Sequence, residues 1–409
     1  MPALLKKFLK GLKSILKKIH HAIPPQARKV YMPALSWGLY YVENHINAIF
    51  PPVTLYEGLE AGSQTPLSFA YAGEMHRMDT YWDDLVLSDG FKKRLLGRRF
   101  FWEIIPELKR EYPGCGFLVM EQSFLTIPYF GGKPGFSIPF WFRMEIGIER
   151  PMNKLFGRQR SDIERLIRKN KLSFEMTRDR QRFDDFYHNM YVPYIRDRYA
   201  DDAGINAYEL FLKKMPVSEM LFIKKDGKTI AGAMAVFKDG KAFLRKLGVV
   251  EANPEYVRSG AIGAIYYFLT QELKTRGYNM MDVGGCRPFL NDGLTRYKLS
   301  LGARLSKDNS RHSTVRFLVL GNAAGVRSFL TRNPFLFKNR NKKLCRALFV
   351  ENSPGLSLPA LNDISASSYC EGIAETQLCV CGDKKLPGDP RLLEHQPVSV
   401  RFFDELVNG

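Results

Sequence analysis

Acidic residues are in short supply in this chain. Its 409 residues carry 42 Asp and Glu against 61 Lys and Arg, a formal net charge of +19. That balance implies an anionic partner: a membrane surface, a nucleic acid, a phosphorylated donor or an acidic carrier protein. Cysteine is scarce as well. Cys115, Cys286, Cys345, Cys370, Cys379 and Cys381 are scattered, which excludes a disulfide scaffold and fits reduced thiols in a cytoplasm. Cys379-Val380-Cys381 has no usual zinc spacing and no histidine close by, so no metal is expected. No apolar run is long enough to span a bilayer. There are no repeats. Hydrophobic residues make up 45% of the chain, which excludes a disordered polymer, and the length suits two or three domains.

What is present is most ordered between Tyr256 and Arg304. Arg258-Ser259-Gly260-Ala261-Ile262-Gly263 opens an apolar helix patterned by Ile262, Ile265, Tyr266, Phe268, Leu269 and Leu273 and ended by Gly277. A glycine-bearing turn at a helix start offers unpaired amides and the positive end of the helix dipole, a ready site for a pyrophosphate. Gly260 and Gly263 lack Cβ atoms, so close approach to the backbone is possible there. The next strand carries Asp282 beside Gly284-Gly285, a natural position for general-base or substrate-orienting work. Tyr297-Lys298 and Gly302-Ala303 follow. Taken singly, these are an ordinary turn and an ordinary strand-end cap. Their order is what favours a site.

That order resembles the C-terminal part of acyltransferases of the GNAT superfamily, in the branch shared by the FemABX peptidyltransferases and the BioF2-like acetyltransferases. The resemblance covers roughly Phe142 to Lys307, with Arg258 to Gly263 similar to the acyl-CoA pyrophosphate loop in a shifted register. It implies an α/β (α+β) fold: a mixed, mostly antiparallel sheet flanked by helices, in two GNAT-like halves. It implies acyl-CoA or acetyl-CoA as co-substrate, held by Arg258, Ser259, Gly260, Ala261, Ile262 and Gly263. Asp282 is then the base or acceptor-orienting group and Tyr297 the proton donor to the leaving thiolate, with Lys298 on the acceptor or a donor phosphate. An aminoacyl-tRNA or an acidic carrier protein stays open as donor, and so does a non-catalytic scaffold on the same fold.

The rest of the chain supplies the surroundings. Residues 1–23 place Leu4, Leu5, Phe8, Leu9, Leu12, Ile15, Leu16 and Ile19 at helical spacing, with six lysines on the other face. This cationic amphipathic helix suits an anionic membrane surface, and lysines interrupt any secretory core. The expectation is a cytoplasmic protein, peripheral on the inner face of the membrane. Pro24-Pro25 ends the helix, and an apolar, aromatic linker runs to Pro51-Pro52. Residues 53–150 are expected to form an N-terminal degenerate GNAT-like half, with a helix over Phe91–Arg110, a strand over Gly116–Glu121, a loop at Gly131–Gly135 and one or two strands over Phe136–Ile148.

Residues 151–320 are expected to be the acyltransferase half. Arg158 to Arg182 is densely basic, with a helix capped by Ser161 and Glu164 and with Arg168 and Lys169 as candidate phosphate contacts. Phe183–Tyr199 reads as a tyrosine-rich helix carrying His188, a candidate substrate-binding residue. A hairpin turns at Lys225-Asp226-Gly227-Lys228, and Lys241–Val249 is the next strand. Residues 321–350 interleave Arg332, Lys338, Arg340, Lys342 and Lys343 with Phe329, Phe335, Leu336 and Phe337, a pattern suited to a membrane surface or single-stranded nucleic acid. Residues 351–409 read as an acidic, loosely packed tail.

Overall fold

The structure, a computed structural model, describes residues 47–74, 76–130, 134–199, 204–205, 207–307, 309, 314–352, 356–382 and 397–407. The expected helix at 1–23, the aromatic residues Trp37, Tyr40 and Tyr41, and Gly131–Lys133 lie outside the described residues. The strands are β1 (Pro52–Leu59), β2 (Pro66–Ala72), β3 (Lys92–Arg98), β4 (Cys115–Glu121), β5 (Phe136–Pro139), β6 (Phe142–Gly147), β7 (Ser173–Thr177), β8 (Ser218–Lys225), β9 (Lys228–Lys238), β10 (Lys241–Val249), β11 (Met280–Cys286), β12 (Arg304–Leu305), β13 (Thr314–Val319), β14 (Phe335–Lys338), β15 (Leu344–Asn352), β16 (Thr376–Gly382) and β17 (Val398–Phe402). They form two mixed sheets flanked by helices. One has ten strands, ordered β17-β16-β15-β14-β5-β13-β4-β2-β1-β3. The other has seven, ordered β12-β6-β11-β10-β9-β8-β7.

The seven-stranded sheet grows from local signals. Asp226 (φ 50°) and Gly227 (φ 78°) both take left-handed geometry, which matches the twist of a tight hairpin between β8 and β9. The helix Ala261–Thr275, here α2, buries Ala264, Ile265, Phe268, Leu269 and Leu273 against one face of the sheet. Each large side chain so buried contributes roughly 1.5–3 kcal/mol. The helix Arg160–Lys169, here α1, packs Ile163 into the same core. The opposite face is covered by Phe183, Phe186, Tyr187, Met190 and Tyr191. The interior strand β9 is sandwiched between these layers, which is why small residues fill it and Gly232 lies against Phe186 and Phe222.

Several expectations change. Phe91–Arg98 is not helical: Lys92–Arg98 is an edge strand paired with β1, Gly97 has φ 95°, and the helix begins only at Ile104. Leu95 and the three basic residues before it make a charged edge, a device that discourages further strand pairing. Pro52 opens β1 rather than closing a linker. No side chain caps α1; Arg160 instead bonds Glu164 at 2.9 Å. Phe329, Phe335 and Phe337 are core residues of the larger sheet and Leu336 packs into the core of the smaller one, so the interleaved pattern at 321–350 is strand and helix packing and not an exposed lipid or nucleic-acid surface. The expected loose tail supplies β16 and β17, with Cys379 and Cys381 fully buried. The sheets also cross the expected domain limits. β5 and β6 are nearly consecutive yet lie in different sheets, and β13 to β17 return to the larger one.

Candidate active site at an opening between parallel strands

β10 and β11 run parallel but pair only at Ala242–Met281 and Phe243–Asp282. Beyond these two rungs the strands separate, leaving backbone N–H and C=O groups along the facing edges without a ladder. In the larger sheet the parallel pair β2/β4 runs from Ser68–Cys115 to Ala72–Met120 with one register shift after Ser68, and β15/β16 stays registered from Arg346–Thr376 to Asn352–Gly382. The smaller sheet is therefore the one with an opening at its parallel pair. Two bulges build it. Arg245 is an extra residue in β10 against β9, between Leu244 and Lys246. In β11 the register against β6 shifts between Asp282 and Gly285, with Gly284 at φ 84°.

The chain leaving β10 passes Glu251 and Ala252, both at positive φ, and reaches Gly260 (φ 95°) at the head of α2. Among the described residues no side chain caps α2. The amides of its first turn, at Ala261, Ile262 and Gly263, have no carbonyl one turn back to bond within the helix. The bare faces of Gly260 and Gly263 are turned to α1: a Cβ would sit 2.7 Å from Leu166 Cβ and 2.9 Å from Ile163 Cγ1. The closeness those glycines permit is thus taken up by helix packing. Asn170 fixes the same junction by donating to the Ser259 and Leu166 carbonyls. The Ser259 hydroxyl donates to Tyr256 O. Arg258 is exposed, near Glu255.

Asp282 stands on β11 at the last rung before the opening, 8% exposed. Arg143 on β6 donates from Nε to Oδ2 at 2.7 Å and holds Nη2 in ion-pair contact 2.5 Å from Oδ1, and Gly284 N donates to Oδ1 at 2.8 Å. A carboxylate offers about four acceptor positions. Two accept hydrogen bonds here, which leaves room for a substrate N–H or O–H. Lys298 is almost fully buried on the helix Gly293–Ser300, here α3. Its Nζ donates to Gly285 O at 3.0 Å, and burial holds its pKa below the usual lysine value. Tyr297, one residue earlier, lies edge-on to Tyr266 of α2 at 5.9 Å, and burial pushes its phenol up to about 12, so it keeps its proton at neutral pH.

Lys246 donates to Tyr191 Oη at 2.8 Å. Burial, and then the neighbouring Arg245 charge, bring it down to about 8. Tyr191 belongs to a π-helical turn, Phe186–Tyr191, pressed against β10 at Gly248. Such turns are rare and often accompany functional sites. His188 lies on the same turn but is exposed, its ring against Tyr187 and Tyr208. Arg168 and Lys169 are exposed on α1.

The structure therefore groups Asp282 with Lys298 around β11, and Tyr297 between α3 and α2. Arg143, Arg245, Lys246 and Tyr191 were missed by sequence reasoning. One signal was available. Inward apolar residues at Ala242 and Leu244 resume at Leu247 and Val249, a one-residue slip of the alternation that marks a bulge.

No family model and no curated protein sequence matches the chain. Solved structures do. FemX is similar at 12% identity over 63% of this chain and 82% of that one, with a TM-score of 0.34. A GCN5-related N-acetyltransferase from Sphaerobacter thermophilus matches at 10% identity over 62% and 73%, with a TM-score of 0.29. The L-PGS structure from Bacillus licheniformis is similar too, at 9% identity over 68% of this chain and 88% of that one, with a TM-score of 0.29. These are distant similarities, and the functional reading stands on the chain's own geometry.

Proposed function

We propose that the protein is an acyltransferase that moves an acyl group from a thioester, acyl-CoA, to an amine or hydroxyl. The observation that carries this reading is the two-rung parallel pair opening in front of an uncapped helix start. An extended donor can lie in the opening as an added strand, bonding the edge of β10 beyond Phe243. Its diphosphate then meets the amides of Ala261, Ile262 and Gly263, with Arg258 and Ser259 beside them. Asp282 orients the acceptor through its remaining lone pair and takes its proton as the new bond forms; Tyr297 returns one to the departing thiolate. Edge amides of β10 near the bulge polarise the thioester carbonyl.

The acceptor in this reading belongs to an envelope, sugar or lipid-linked precursor, reached from a membrane surface through residues 1–23, which lie outside the described residues. Exposed Trp102, Phe124, Leu125, Ile127 and Tyr129 support such a surface. The described chain begins close to them, where Phe50 lies 4.8 Å from Phe100. Among the described residues no helix is long and apolar enough to cross a membrane.

A second reading, aminoacyl-tRNA as donor, is favoured by one feature. Exposed Arg165, Arg168, Lys169 and Lys171 lie at the end of α1 that abuts the α2 start. Thermal denaturation with CoA, acetyl-CoA and tRNA separates the two. A ligand at a hundred times its Kd adds about 2.7 kcal/mol, several degrees in Tm. A shift with CoA or acetyl-CoA supports the first reading, one with tRNA alone supports the second, and no shift with any counts against both.

A further inference from the structure

One edge of β6 is finished at Arg143 by a side chain instead of a strand. β12 pairs with β6 only at Arg304–Glu145 and Leu305–Met144. One further backbone bond follows, from Ser306 N to Arg143 O at 2.9 Å. Asn309 then closes on the same residue. Its Oδ1 accepts from Arg143 N at 2.6 Å, and its Nδ2 donates to Arg143 O at 3.1 Å and to Ser306 O. The carboxamide thus supplies the acceptor and the donor that a ladder residue would supply. Its partners fix which end is which, since Arg143 N only donates and the two carbonyls only accept. Asn309 is 6% exposed, and hydrogen bonds are stronger in such dry surroundings. On its other edge β6 meets the bulge of β11, where Arg143 faces Gly285 and Glu145 faces Asp282. Arg143 therefore reaches Asp282 on the diagonal, across the bulge. A displaced backbone at Arg143 would carry the guanidinium with it.

We propose that Asn309 is a positioning residue of the site, fixing the backbone of Arg143 and through it the aim of the guanidinium on Asp282. It acts through Arg143 and makes no bond of its own to Asp282 among the described residues. The segment after β12 is thereby tied to the carboxylate on β11, two strands away. Asparagine suits the task because it is short and carries both a donor and an acceptor at its tip. That this aim serves acyl transfer rests on the acyltransferase reading; the aim itself does not.

The test is the energetic coupling between Arg143 and Asp282 in the full chain. Urea denaturation of Arg143→Met, Asp282→Asn and the double variant gives that coupling, once in the parent and once in the Asn309→Ala background. The expected result is a coupling cut to half or less by Asn309→Ala. A residue that only braces its loop would lower every urea midpoint and leave the coupling as it was, and that result overturns the proposal. Asn309→Ser gives the same comparison where Asn309→Ala does not fold. Its hydroxyl cannot fill both places of the carboxamide, so the coupling is expected to fall there too. The shift in Tm with acetyl-CoA is expected to be the same in Asn309→Ala as in the parent. Loss of that shift in Asn309→Ala alone would overturn a role confined to Arg143. A reduced coupling with no acetyl-CoA shift even in the parent would leave the positioning role standing and remove the acyltransferase reading.

Discussion

Asp282→Asn is expected to lower turnover by about two orders of magnitude or more, the range lost when a positioned acid–base group is removed. The carboxylate does two things that an amide cannot. It meets Arg143 through both oxygens, in a hydrogen bond at 2.7 Å and an ion-pair contact at 2.5 Å, and it keeps a lone pair for the acceptor. An amide presents one oxygen and one NH2, and the NH2 would face a guanidinium that has only donors. Arg143 would then lose its aim along with its counterion. The change is expected to cost about 2–3 kcal/mol of stability, somewhat below the cost of breaking a wholly buried pair, because both side chains retain some solvent contact. Steady-state kinetics and urea denaturation measure the two effects separately. Turnover within threefold of the parent would remove Asp282 from the chemistry, whatever happened to stability.

The second large effect is structural and reaches the site indirectly. Gly248→Ala is expected to destabilise the fold by about 3 kcal/mol, at the upper end of overpacking costs. A Cβ there would lie 2.5 Å from Met190 C and 2.6 Å from Tyr191 N. These are backbone atoms on both sides, so no side chain can swing away. The π-helical turn would have to lift off β10, carrying Tyr191 away from Lys246 and loosening the layer of Phe186, Tyr187 and Met190. Gly114→Ala makes the control: a Cβ there meets nothing within 4 Å, and a change within about 0.5 kcal/mol is expected. Equal urea midpoints for the two variants would show that the turn does not press on the strand.

These two residues also mark what could and could not be read from the sequence. Elements set by neighbours in the chain were legible. The Asp226-Gly227 turn, the strand Lys241–Val249 and the helix ended by Gly277 all follow from turn chemistry and periodicity, and the structure has each of them. Features set by distant partners were not. Lys92–Arg98 is a strand because β1 offers it an edge, and nothing local in Lys-Lys-Arg-Leu-Leu-Gly-Arg says so. The aromatic residues at 329–337 look like a binding surface until strands from both ends of the chain enclose them. Asp282 was visible as a carboxylate beside two glycines, but its partner Arg143 stands 139 residues earlier. Gly248 gave no signal, because only the approach of another backbone makes it necessary. The π turn was hidden in the same way, inside a segment that reads as ordinary helix.

Amide hydrogen exchange with and without acetyl-CoA tests the central claim most directly. A thioester seated in the opening is expected to slow exchange at Ala261, Ile262 and Gly263 and along the unpaired edge of β10 beyond Phe243, while β7 and β8 stay unchanged. Unaltered exchange at the α2 start and along that edge at saturating acetyl-CoA would contradict it.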